Sequence, residues 1–156
     1  MRLTGSSLET GDADAPSRRN DSPHPSELDT IYAELVELAV RYLQLLTTTK
    51  GLDRLLIRQV LQEGLNRTIE HTLEVGDKIA QLGGVPSVDL TLHIRGERCP
   101  ASDAIRTALA FEQGVLDGYR DIQDRGCDDP ILDEFTKRQI TRQSERVSEL
   151  YMLLEA

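Results

Sequence analysis

Tryptophan is absent from the 156 residues, and aromatic side chains make up only 4% of them. A core in this chain must therefore be built mainly from aliphatic residues, as helical bundles build theirs. Cysteine occurs twice, at Cys99 and Cys127, too rarely for a disulfide scaffold. Two reduced thiols in a cytoplasmic protein is the reading adopted, with a single Cys99–Cys127 bridge as the alternative. Positive charge is in deficit, with 18 lysines and arginines against 27 aspartates and glutamates, a net charge of −9. That balance argues against a surface shaped for nucleic acid or an anionic membrane. No apolar run reaches membrane-span length, and the N-terminus lacks the apolar core of a signal peptide. A Gly-rich phosphate loop, a Ser/His/Asp series and a Cys/His nucleophile pattern are all missing. The expectation is a soluble, cytoplasmic chain of one domain, long enough to bury a real core.

What is present is helical periodicity, preceded by a polar stretch. Residues 1–25 are rich in Gly, Ser, Asp and Pro and read as a disordered tail. Arg2, Arg18 and Arg19 there are outnumbered by Glu9, Asp12, Asp14 and Asp21, so the tail is no DNA-holding arm. Residues 26–156 read as a bundle of four long helices. Ser26 is the expected cap of helix A, which runs from about Glu27 to Thr48 with an inward stripe of Leu28, Ile31/Tyr32, Leu35, Ala39, Tyr42 and Leu46. Glu34 and Glu37 fall off that stripe and are expected in solvent. A short turn through Gly51 leads into helix B, about Leu52 to Leu82, stopped by Gly83-Gly84 with Pro86 beyond. Its stripe is Leu61, Leu65, Thr68, Thr72, Val75, Ile79 and Leu82. Val85 to Ala101 is long enough to travel the length of a bundle, which makes helix C parallel to helix B. Ser102 is the expected cap of helix C, which runs to Arg125 and ends at Gly126. Asp129-Pro130 opens helix D, which continues to about Glu155 with Leu132, Phe135, Val147, Leu150 and Leu154 inward. Four long helices joined by a short turn, a long crossover and another short turn make the all-α, ferritin-like version of the four-helix bundle.

Polar residues interrupt the inward stripes at mid-helix. They are Thr68 and Thr72 on B, Glu112 on C, and Gln139, Gln143 and Arg146 on D. A lone buried carboxylate at Glu112 would cost several kcal/mol, so something must pair with it. The favoured reading is an Arg146–Glu112 ion pair, hydrogen-bonded to Gln143 and to Thr68. The alternative has Arg146 snorkelling outward while Glu112 meets water or one metal ion. His71 and Glu74, three apart on helix B, could bind zinc or iron on the flank, but an exposed, non-binding histidine is the plainer reading. His24 in the tail and His93 in the crossover are read as solvent-facing. His93 near Cys99 is too sparse for zinc.

Several segments resemble the bacterioferritin and Dps (DNA-protection-during-starvation) branch of the ferritin-like superfamily. Glu70 to Ile94, with Asp77-Lys78-Ile79 and then Leu82-Gly83-Gly84-Val85-Pro86, is similar to the end of the family's second helix and the start of its crossover. Arg41-Tyr42 looks like the Gln-Tyr pair of the first helix. Ala110-Phe111-Glu112 with Tyr119 looks like the third helix, and Ser144 to Leu154 like the closing one. The resemblance implies di-iron oxidation inside each bundle, with a Glu from A, Glu-x-x-His from B, a Glu from C and Glu-x-x-His from D. At the matching positions stand Leu35, Thr68 with His71, Glu112, and Gln143 with Arg146. Only His71 and Glu112 keep a ligand type, as remnant metal positions. No haem is implied, because Ile69 holds the place of the ligating Met and Met152 is the only internal methionine. The Dps intersubunit site, with histidines on helix A and acids on helix B, finds only Asp77.

The resemblance therefore implies an iron storage or protection protein, a cage subunit whose own ferroxidase centre is degenerate, leaving iron as cargo. Its expected partners are further copies of itself or a ferritin-like paralogue in a mixed cage, and neither a membrane nor nucleic acid. Two other readings stand beside it. One is an active ferroxidase with a shifted ligand set drawn from Glu34 or Glu37, Glu70, His71, Glu74, Glu112, Glu145 and Glu149. The other is an interaction or regulatory module that has left iron behind.

Overall fold

A computed structural model describes residues 24–156. Residues 1–23, most of the expected tail, lie outside it. The described residues form four helices, α1 (His24–Thr48), α2 (Asp53–Gln81), α3 (Ala101–Arg125) and α4 (Pro130–Glu155), with no named strand among them. None is long and apolar enough to cross a membrane.

Helix ends follow local chemistry. Gly83 takes φ +87° after α2, and the N–H groups of Gly83 and Gly84 return to the carbonyls of Ala80 and Ile79. A side chain there would be strained, so the Gly-Gly stop is a backbone requirement. At α4 the Asp129 carboxylate accepts from the N–H of Ile131, with Pro130 at the first helical position. Two expected caps do not hold. α1 begins at His24, so His24 and Pro25 belong to its first turn and Ser26 lies inside the helix. α3 begins at Ala101, directly after an extended Pro100, so Ser102 is already its second residue. Proline cannot be continued backwards into a helix from this extended geometry, and it sets the boundary ahead of the serine.

The connection after α2 travels the length of the bundle. It ends beside the α1–α2 turn, where the Lys50 N–H donates to the Cys99 carbonyl at 3.1 Å and the Cys99 N–H to the Thr48 carbonyl at 3.2 Å. Gln44 holds it again through the Arg95 carbonyl at 2.6 Å. α3 thus starts where α1 ends and α2 starts, parallel to α2 and antiparallel to α1. Gln123 on Asp133 and Gln143 on Glu112 show α4 returning antiparallel to α3. The Val88 to Ile94 piece forms no strand. Cys99 and Cys127 are free and sit at opposite ends of the bundle, which excludes the bridge between them.

The core is aliphatic with two buried tyrosines. α1 contributes Leu28, Ile31, Leu35, Leu38, Tyr42 and Leu45. Leu38 and Leu45 replace the expected Ala39 and Leu46, which are half-buried at the stripe's edge. α2 buries Leu61, Leu65, Thr68, Val75 and Ile79, with Thr72 and Leu82 half-buried. α4 buries Leu132, Phe135 and Leu150, while Val147 and Leu154 lie at its margin.

Candidate functional site

Each helix sends a residue to the same level of the interior. Glu112 of α3 is buried, on the stripe between Ala108 and Val115. The Tyr42 hydroxyl of α1 donates to its Oε1 at 2.6 Å. Gln143 of α4 donates to its Oε2 at 2.5 Å and to its main-chain carbonyl at 2.9 Å. Arg146, one turn further along α4, places Nε 3.5 Å from Glu112 Oε1 and donates from Nη2 to Tyr42 at 3.2 Å. Its Nε contact is an ion pair without a hydrogen bond. Arg146 is 7% exposed, so it does not snorkel outward. Burial, followed by the nearby Glu112 charge, pushes the Tyr42 hydroxyl well above its ordinary range, so it stays a donor.

α2 makes room for this cluster with Gly64. A Cβ at that position would come within 2.5 Å of the Tyr42 ring and 2.8 Å of Arg146 Nη2. A mid-helix glycine costs about 1 kcal/mol relative to alanine, and here close approach of two side chains explains it. Thr68, by contrast, does not join the network. Its hydroxyl donates to the Gly64 carbonyl at 2.7 Å, and Thr72 does the same to Thr68. A helical threonine always has its own i−4 carbonyl within reach, and that local bond is the one formed.

A cleft of about 360 Å³ opens between α2 and α4, with Glu112, Gln143 and Arg146 on its inner side and Arg67, Glu70, Arg142, Glu145 and Glu149 among its outer residues. His71 also lines it but bonds elsewhere. Its Nε2 lies 2.6 Å from the Tyr119 hydroxyl, and the two rings stack with centroids 5.7 Å apart. Burial pushes the imidazole down to about 4, against the smaller pull of Glu74, so it is neutral at pH 7. It is half-buried, where an exposed histidine was expected.

The remaining carboxylates do not converge. Glu74 binds Arg142 at 2.8 Å and accepts from Gln139 at 3.1 Å. Burial pushes its carboxyl up, but those partners outweigh that and hold it below the usual range. Glu149 pairs with Arg67 at 3.0 Å and Arg146 at 3.5 Å, and Glu37 with Arg41 at 3.1 Å. Glu70, Glu145, Asp77 and His93 are exposed. Glu34 is not solvated as expected. It is half-buried, its Oε2 has no hydrogen-bond partner among the described residues, and burial followed by Glu37, Asp121 and Asp117 raises its pKa. Among the described residues no three His, Cys, Asp or Glu side chains gather to hold an ion.

Sequence reasoning reached Glu112, Gln143 and Arg146 but missed Tyr42 and Gly64 as members. Both carried a signal. A tyrosine on an inward stripe needs a partner for its hydroxyl, and a glycine in mid-helix needs a reason.

The architecture is that of a ferritin-like four-helix bundle. Solved structures similar to this chain include a ferritin-like, diiron-carboxylate protein from Bacillus anthracis, with 18% identity and a TM-score of 0.71 over 83% of this chain and 94% of that one. Antigen TpF1 from Treponema pallidum matches at 14% identity and a TM-score of 0.77, covering 92% and 98%. A dodecameric thioferritin, the bacterioferritin-related protein from Bacteroides fragilis, matches at 15% identity and 0.70, covering 84% and 83%. No family model matches the sequence, and no curated protein does.

Proposed function

We propose that this chain is a subunit of a bacterioferritin- or Dps-like cage that serves iron storage or protection without oxidising iron itself. The observation that carries the reading is the Arg146 guanidinium, 3.5 Å from Glu112, the one carboxylate that stands at a remnant ligand position inside the bundle. A two-iron centre needs several carboxylates and imidazoles turned inward. The donors here do not fit one. Glu112 is shared among Tyr42, Gln143 and Arg146, and His71 is engaged with Tyr119. A guanidinium supplies positive charge and five donors in the space and repels a divalent cation. Neighbouring folds are described as diiron-carboxylate and as dodecameric, which supports iron as cargo and assembly with further copies or with a ferritin-like paralogue that oxidises it.

The test is addition of Fe²⁺ in air to metal-free protein, followed by absorbance of ferric products. The expected trace matches buffer autoxidation. Rapid oxidation of two irons per chain would overturn the proposal in favour of a shifted ligand set. A purified protein that is monomeric at micromolar concentration would instead favour the interaction-module reading.

A further inference from the structure

Six of the largest exposed apolar side chains gather at one end of the bundle. Leu52, Leu55 and Leu56, at the start of α2, are 87%, 76% and 76% exposed. They lie on the side of α2 away from its Leu61–Leu65 core stripe, by the 100° step of a helix. Tyr151, Met152 and Leu153, at the end of α4, are also exposed. Both tips belong to the same end. α2 starts at the turn that Cys99 clamps, α3 starts there too, and antiparallel α4 finishes there. Monomeric proteins rarely leave large apolar side chains gathered in this way.

Charge separates the two tips. Residues 50–58 carry Lys50, Arg54 and Arg58 against Asp53, a net of +2. The end of the crossover beside them adds Arg95 and Arg98 against Glu97. Residues 145–155 carry Glu145, Glu149 and Glu155 against Arg146, a net of −2. Two α2 tips brought together would repel, and so would two α4 tips. An α2 tip against an α4 tip joins apolar to apolar and basic to acidic.

We infer that the start of α2 in one copy docks on the end of α4 in another copy of this chain. The partner is thus a second copy, and the contact is between unlike surfaces. Repeated around an axis, such a contact closes a ring. The inference rests on the self-assembly part of the function proposed above and adds the surface that performs it.

The experiment is native mass measurement on full-length protein and two surface variants. Leu55→Glu/Leu56→Glu alters the α2 tip, and Tyr151→Glu/Met152→Glu the α4 tip. All four residues are more than half exposed, and circular dichroism with thermal melting verifies that each variant stays folded. The wild type is expected as a multimer and each variant as a smaller species. Mixing the two variants is expected to yield a species larger than either, because one α2 tip and one α4 tip remain intact. Arg54→Glu/Arg58→Glu, which keeps the leucines, is expected to shrink the assembly as well. A multimer that survives either tip variant unchanged, or a mixture that gains no mass, overturns this contact while leaving self-assembly standing. A monomeric wild type overturns both.

Discussion

Glu112 and Glu34 each bring a carboxylate against the apolar interior, on α3 and α1, under opposite conditions. Glu112 is the more deeply buried, yet it accepts from Tyr42 and Gln143 and faces the Arg146 cation. Glu34 is only half-buried, but its neighbours Glu37, Asp117 and Asp121 all carry the same sign, and one of its oxygens has no partner among the described residues. The contrast shows that depth alone does not decide what a buried charge costs. Partners do: α1 and α4 supply them at Glu112, through Tyr42, Gln143 and Arg146, while none of the described residues supplies one to Glu34 Oε2.

The strongest way to break the contrast is to strip Glu112 of its cation. Arg146→Met is expected to cost about 3–5 kcal/mol, because it leaves an unpaired charge in the interior. Urea denaturation measures it, and adding Glu112→Gln should return most of the loss. A single variant as stable as wild type would mean that Tyr42 and Gln143 suffice. Next in size is Gly64→Ala. Its methyl group overlaps the Tyr42 ring and the Arg146 guanidinium, so a net loss of about 1–3 kcal/mol is expected despite better helix propensity. Stabilisation in the same assay would show that the cluster can move aside. The smallest effect belongs to Glu34→Gln, and it has the opposite sign. A carboxyl whose pKa is raised on folding holds its proton more tightly in the native state, so stability is lost as pH rises from the unfolded value of 4.5 through the folded one. The variant is expected to be more stable than wild type at pH 7, with the advantage shrinking as pH falls toward 4.5. Denaturation midpoints at pH 7 and pH 5 check both statements.

Much of the bundle was legible because its signals are local. Gly83, Gly126 and the Asp129-Pro130 pair act through their own backbones, so the ends of α2, α3 and the start of α4 fall within a residue or so of expectation. The long crossover could be read from its length alone. The failures occur where a local rule has a stronger rival. Pro100 sets the start of α3 before Ser102 can cap it, and Thr68 prefers the Gly64 carbonyl to a partner on α3 or α4. At mid-bundle, periodicity brought Glu112, Gln143 and Arg146 to one level. It could not reveal that Tyr42 lies between acid and cation, because side-chain reach across helices leaves no period in the chain. Glu34 shows the same limit from the other side, since its burial comes from α3 packing over it through Gly118 and not from its own stripe.

The crossover has a consequence for how the molecule hangs together. α1 with α2, and α3 with α4, are each adjacent antiparallel hairpins, and residues 83–100 join one to the other. Gly64 meets Tyr42 within the first hairpin, and Gln143 meets Glu112 within the second. Tyr42 with Glu112 and Arg146 stitches the two together at the centre, and His71 with Tyr119 and Glu74 with Arg142 join them beside it. The linking segment then serves chiefly as a tether that keeps the halves at high effective concentration. The molecule is in that sense an intramolecular complex of two hairpins, with the Glu112 cluster as its recognition element.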